Sequence, residues 1–244
     1  MPTAGLSRER DLGTAELDTL LAGQGWFSRV AEGRRRALLA QGRSHGLADG
    51  ARVYRVGDAP DGLYAVLSGE VRLINYPGLG KQLLNLIVRP GRWFGELSTI
   101  DGRPRPHDAI CVGPTQVFHV PMPAIVALGR DDPGLYHDIA ILSCDHQRTS
   151  LERIALMWGC NSEERLVWLL NDFAALDPET GGWVVGIKQE DLAGMVGVSR
   201  QRLNRLLKDL EQAAMIRPAY GKIFVLEPLR ALAVAQSTRA AGGV

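Results

Sequence analysis

IKQEDLAGMVGVSRQRLNRLLKDLEQAAMI, residues 187–216, decides the fold of the C-terminal third of this 244-residue chain. Its apolar positions follow a helical period twice. A first helix is predicted from Gln189 to Val196 and a second from Ser199 to about Ala213. Gly197 supplies the turn, Ala193 is small where the helices cross, and Val198, Leu203 and Leu206 plug the gap between them. A short glycine-containing turn that sets two helices nearly perpendicular is the helix-turn-helix pattern. Ser199 stands where the second helix needs an N-cap.

The second helix turns Leu203, Leu206, Leu207 and Leu210 inward, which leaves Arg200, Gln201, Asn204, Arg205 and Lys208 on the opposite face. Between Ser199 and Lys208 there are four cations and no acid. A solvated helix normally mixes signs, so this bias points to double-stranded DNA. Arg200 and Gln201, near the helix N-terminus, suit bidentate contacts to guanine and adenine edges. Arg202 and Lys208 suit phosphate. The following RPAYGKIFVLEP reads as a hairpin with its turn at Ala219 to Gly221, a wing beside the reading helix. Two such units in a dimer read a palindrome with centres about 34 Å apart.

Upstream, SEERLVWLLNDFAAL is an amphipathic helix with Ser162 placed as its cap. Before it runs DPGLYHDIAILSCDHQRTSLERIALMW, with no proline or glycine after Gly134. Leu135, Ile139, Leu142, His146, Thr149, Arg153 and Leu156 recur in alternating steps of four and three, a heptad-like seam that asks for a partner. Its polar members predict a dimer helix that also borders a polar pocket. The alternative is a helix lying along its own domain.

From Ala51 to Pro121 the texture is β: RVYRVGD, GLYAVLSGEVRLINY, QLLNLIV and AICVGPTQVFHV are separated by glycine- and proline-rich turns. Short strands at this spacing predict a sandwich or barrel. Residues 1 to about 42 read as helical, with Leu17, Leu20, Leu21, Leu38 and Leu39 on one face, and the small-residue tail after residue 235 is expected to fray.

Composition narrows the class. No run of eighteen apolar residues spans a membrane, and the N-terminus lacks the apolar core of a secretory signal, so a cytoplasmic location is expected. Cys111, Cys144 and Cys160 form no C-x-x-C pair. The histidines His45, His107, His119, His137 and His146 show no H-x-H or H-E-x-x-H spacing, so neither a metal site nor catalytic residues are predicted and the chain is not expected to be an enzyme. A metal enzyme built on the β segment is the rival reading that metal analysis would test.

The order of a β segment containing GDAPDGLYAVLSGEVRL and FGELSTI, a long helix, and QEDLAGMVGVSRQRLNRLLKDLE resembles the Crp/Fnr family of bacterial transcription regulators, from about Trp26 to Leu229. The resemblance implies an α+β chain: an N-terminal double-stranded, jelly-roll-like β-roll sensor of the cyclic-nucleotide-binding type, a long dimerisation helix, and a C-terminal winged helix-turn-helix. The corresponding boundaries are 1–130, 131–159 and 160–234, with a tail at 235–244. It implies a homodimer on a palindromic DNA site, contact with RNA polymerase if the regulator is an activator, and no membrane partner.

Carried over residue by residue, Gly95 and Leu97 would offer backbone amides to a cyclic nucleotide or other small anionic effector, Glu96 would accept from a ribose hydroxyl, and Arg105 would meet the phosphate while facing the dimer helix. Thr149 and Ser150 lie where cyclic-AMP-binding members contact adenine. The DNA-reading set is Ser199, Arg200, Gln201, Arg202, Asn204, Arg205 and Lys208, with Gln201 replacing a common glutamate. One departure bears on the effector. Cyclic-AMP-binding members follow the arginine with serine or threonine and then alanine, whereas Pro106 and His107 stand here. Proline has neither a hydroxyl nor an N–H, so the expected effector is one other than cyclic AMP, or none. The cysteine cluster of iron–sulfur members is missing from residues 1–50, and no haem-ligation motif accompanies His107, Cys111 or His119.

Overall fold

The computed structural model describes residues 13–23, 25–78, 82–177, 180–227 and 229. They form two compact units, residues 1–149 and 150–244. The expected fraying of the tail lies outside the described residues.

The first unit opens with helices α1 (Thr14–Ala22) and α2 (Glu32–Gln41). A six-stranded antiparallel sheet follows, built from β1 (Arg43–Leu47), β2 (Arg52–Tyr54), β3 (Gly62–Asn75), β4 (Leu83–Val88), β5 (Trp93–Phe94) and β6 (Asp108–Pro121), with α3 (Glu96–Asp101) inserted after β5. Strands β3 and β6 form its spine, paired from Gly62↔Pro121 to Ile74↔Asp108. β1 and β2 pair with β6, and β4 and β5 with β3.

Side chains alternate across a strand, and β3 uses both faces. Leu63, Ala65 and Leu67 join Trp26, Phe27, Leu38, Trp93 and Phe118 in a core shared with the helices. Tyr64, Val66, Val71 and Leu73 join Tyr54, Phe94 and Val117 in a second core inside the roll. This double burial is why the segment reads as a continuous apolar run. The short β1, with the sequence RSHGL, has no buried residue to betray it; it is a strand because β6 offers it a ladder from His119 to Thr115.

Helix α4 (Met122–Asp131) leads into the 26-residue α5 (Gly134–Gly159). The seam predicted for a dimer partner is spent differently over its first half. Leu135, Ile139 and Leu142 are buried in the helix-side core of the same unit. Arg34 Nε donates to Asp132 at 2.7 Å and its Nη1 to Asp138 at 2.8 Å, while Arg29 pairs with Asp145 and Trp26 Nε1 donates to the Asp138 carbonyl. Seam spacing alone cannot say whether the complementary surface belongs to another chain or to the helix's own domain. Here the domain supplies it.

The second unit contains α6 (Ser162–Asp172), β7 (Ala175–Leu176), β8 (Trp183–Val185), α7 (Gln189–Val196), α8 (Arg200–Gln212), β9 (Ile216–Ala219) and β10 (Lys222–Val225). The cap of α6 is Asn161 rather than Ser162. Asn161 Oδ1 accepts from the amides of Glu163 and Glu164 at 2.9 and 3.1 Å, and Glu164 accepts from the Asn161 amide at 2.9 Å, a closed capping box. The predicted hairpin forms with Tyr220 and Gly221 at its turn, and β7 and β8 extend it to a sheet of order β7-β8-β10-β9. Two- and three-residue strands are too short to show alternation in sequence.

Candidate effector site and DNA interface

Of the effector-site candidates, Gly95, Glu96, Leu97 and Arg105 meet where β5 passes into α3. Gly95 stands between them with φ of 88°, and a Cβ there would lie 2.8 Å from Arg105 Nη1. Glycine is required both for the left-handed backbone and for this approach. The Gly95 carbonyl accepts from Arg105 Nη1 at 2.8 Å and from Thr99 Oγ1 at 2.8 Å.

The described partners of Arg105 lie on the β-roll rather than on the long helix. Its guanidinium is turned inward, with 1% of the residue exposed. Nη2 donates to the Gly62 carbonyl at 2.7 Å and to Asp61 Oδ1 at 2.6 Å, and the group lies 4.4 Å from the Tyr54 ring centre. A guanidinium drawn into a protein needs its N–H groups satisfied, and these carbonyls and Asp61 are the acceptors nearest to it. Tyr64 Oη donates to the other oxygen of Asp61. Partial burial alone would raise the Asp61 carboxyl, but these donors hold it below its ordinary range.

Glu96 is the group that meets the long helix. Its side chain is buried, and Oε1 lies 2.9 Å from His146 Nδ1 on α5. Burial alone would raise Glu96, yet the imidazole's hydrogen bond and charge bring it below 4.5. Burial likewise opposes charge on His146, and Glu96 outweighs it, raising the imidazole above 6.5. Leu97 points an exposed side chain outward. Thr149 Oγ1 donates to the Asp145 carbonyl of its own helix at 3.2 Å, and Ser150 falls in the second unit.

Three buried polar atoms in this neighbourhood have no partner among the described residues: Tyr54 Oη, Arg105 Nε and His107 Nδ1. The Tyr54 and His107 rings are 5.8 Å apart. Native proteins rarely leave such groups unmatched, so the cluster offers hydrogen bonds to a polar guest. His107 is held below its ordinary value, by burial first, and so favours the neutral ring. The sequence marks His107 as a departure from the cyclic-AMP-binding pattern and as a haem candidate without a ligation motif, but nothing in it singles out Asp61, Tyr54 and Tyr64.

The DNA-reading set is brought together on one exposed surface. Gly197, with φ of 78°, turns the chain between α7 and α8, and Ser199 Oγ accepts from the Arg202 amide at 3.2 Å. Leu203, Leu206, Leu207 and Leu210 are buried, while Ser199, Arg200, Gln201, Arg202, Asn204, Arg205 and Lys208 are exposed. No ion pair among the described residues engages the four cations of this set. Arg165 braces the scaffold, with Nε donating to the Val196 carbonyl at 2.9 Å and Nη1 to the Cys160 carbonyl at 2.6 Å.

A β-roll with buried, unmatched polar groups and a helix-turn-helix with an unneutralised basic face define a DNA-binding protein that carries a sensor-type domain. Residues 45–132 match the cyclic nucleotide-binding domain family and residues 164–232 the Crp-like helix-turn-helix domain family. The chain is 30% identical over 172 residues to the transcriptional regulator SdrP of Thermus thermophilus, covering 68% of this chain and 80% of that protein. It is 28% identical over 178 residues to the cyclic AMP receptor protein of the same organism, covering 73% and 81%. The fold matches the c-di-GMP-responsive global regulator CLP of Xanthomonas campestris with a TM-score of 0.66 at 20% identity, covering 80% of this chain and 99% of that one. The chain belongs to the Crp/Fnr family of DNA-binding transcription regulators, with an effector-binding domain. Among the described residues no helix is long and apolar enough to cross a membrane.

Proposed function

We propose that the chain works as a homodimer that reads a palindromic duplex with α8 and changes its DNA affinity when a small polar effector occupies the β-roll. The carrying observation is the basic face of α8, exposed and without ion pairs among the described residues. Arg200 and Gln201 read base edges, Gln201 favouring adenine where glutamate would favour cytosine. Arg202, Arg205 and Lys208 hold phosphate, with Asn204 and Ser199 beside them. The division of labour follows residues 1–130 as sensor, 131–159 as dimer helix and hinge, and 160–234 as reader, acting on cytoplasmic DNA.

Dimerisation is supported by the apolar surface that α5 leaves uncovered after its seam is spent. Leu151 and Ile154 are exposed, and Trp158 keeps 88% of its surface. If the dimer activates transcription, RNA polymerase is its further partner.

The effector reading is supported by Tyr54 Oη, Arg105 Nε and His107 Nδ1, three buried groups that a polar ligand would satisfy. Gly95, Glu96, Leu97 and Arg105 frame the same place, and Thr149 and Ser150 enter through the family resemblance alone. The reading that the effector need not be cyclic AMP is supported by similar proteins named for cyclic AMP in one case and for c-di-GMP in another. Pro106 argues against cyclic AMP itself, since two donors are lost at one position.

Gel shift on a selected palindromic duplex tests the DNA reading. Arg200→Ala should weaken binding about thirtyfold, the middle of the range for a bidentate base contact. Affinity equal to wild type would remove Arg200 and its face from the interface.

A further inference from the structure

We propose that the contact between Glu96 and His146 is a proton-operated latch that seats the long helix on the sensor unit, and that its state sets DNA affinity. The proposal rests on the DNA-reading function above and assigns a regulatory input to the sensor.

The latch is placed where a small local change has leverage. The first half of α5 is fixed by Leu135, Ile139 and Leu142 in the core and by Asp132, Asp138 and Asp145 on Arg34 and Arg29. His146 follows, 2.9 Å from the buried Glu96. Three residues later the first unit ends, and α5 continues to Gly159 inside the second. Glu96 and His146 therefore tie α5 to the β-roll side chain to side chain within four residues of the unit boundary.

The chemistry makes that tie conditional. Imidazole is the side chain whose ordinary titration lies between about pH 5 and 8, whereas arginine at position 146 would hold the carboxylate at every physiological pH. A carboxylate as buried as Glu96 is costly without a partner charge or donors. Loss of the proton from His146 leaves Glu96 beside a neutral ring and favours states in which the helix lifts and water reaches the carboxylate.

The surrounding groups are mixed in sign. Asp145, on α5 itself, adds to Glu96 in favouring the imidazolium, and Arg92, preceding β5, opposes it. His107 approaches from the turn before β6 and stays toward neutral through burial, with Arg105 also opposing its charge. Tyr54 lies within electrostatic reach of Glu96. None of these duplicates the tie that His146 makes.

Both shifts support the same switch. His146 titrates above 6.5 in the folded protein, so its contribution to the latch is complete below 6.5 and is lost as pH rises through the folded value. Glu96 titrates below 4.5, so its contribution is complete above 4.5 and is lost as pH falls through its folded value. The latch is closed between those limits and opens on the alkaline side first under physiological conditions.

The test is fluorescence anisotropy of the full-length protein on the selected duplex at constant ionic strength, between about pH 5.5 and 8.5, the imidazole range. It is paired with amide hydrogen exchange over residues 143–149. In the wild type, affinity should change by about fivefold across this range, the low end of ordinary allosteric coupling, and helix protection beyond the intrinsic rate should fall as pH rises. His146→Asn keeps a donor near the Nδ1 position but cannot titrate, so it should flatten both profiles. Glu96→Gln should do the same and serves if the first variant folds poorly. A wild-type exchange profile without pH dependence, or DNA profiles of wild type and variants that superimpose, overturns the latch. Arg200→Ala should weaken binding equally at every pH. Failure of the wild type to bind the duplex at any pH strikes the DNA reading instead, and the exchange profile still decides the latch.

Discussion

Arg105 joins two roles that pull apart under mutation. The resemblance casts it as the effector's phosphate ligand, while the fold uses its guanidinium to satisfy the carbonyls of Gly62 and Gly95 and to hold Asp61. Removing one partner of a buried pair leaves the rest unmatched, at a cost of about 3 kcal/mol when discounted for the half-exposed Asp61. Arg105→Ala should lower stability by about that amount in urea unfolding. Stability within about 0.5 kcal/mol of wild type, the scatter of surface changes, would show that the inward pairing contributes little. A ligand response lost in this variant would therefore report folding as much as recognition. At this scale the sequence is half legible. FGEL marks the turn into α3 because glycine at 95 answers a local backbone demand, but nothing local links Arg105 to Asp61, which is 44 residues away.

At the scale of elements, local signals predicted best where the deciding contacts are local. Helices α7 and α8 begin and end where glycine, serine and the leucine spacing place them. The start of α6 shows how near such signals can lie to one another. Asn161 and Ser162 are both good caps, and only Asn161 closes a box with Glu164. Asn161→Ala should destabilise the protein by about 1 kcal/mol and Ser162→Ala by much less. Equal effects in thermal unfolding would refute the assignment of the cap. The long helix is the opposite case. Its seam was legible, but not its occupant, because an apolar stripe is the same pattern whether it faces another chain or its own sheet.

For the whole molecule, the proposed dimerisation through the uncovered surface of α5 gives a measurable expectation. Ile154→Glu puts a charge on that surface, and sedimentation should shift from dimer toward monomer while the far-UV spectrum stays unchanged. Affinity for the full palindrome should then fall by about a hundredfold, as avidity is lost, with half-site binding kept. A dimer that persists in this variant would move the interface elsewhere.

By itself, the sequence determined the succession of β-roll, long helix and helix-turn-helix, along with the basic, acid-free face of α8 from Ser199 to Lys208. Period, turn chemistry and local charge act between residues a few positions apart and leave their mark in the chain. Only the tertiary structure decided that Asp61 engages Arg105, that His146 engages Glu96, that β1 exists, and that Leu135, Ile139 and Leu142 face inward. Each of these depends on partners distant in sequence, chosen by which groups the folded sheet brings within hydrogen-bond or packing distance and which it deprives of water.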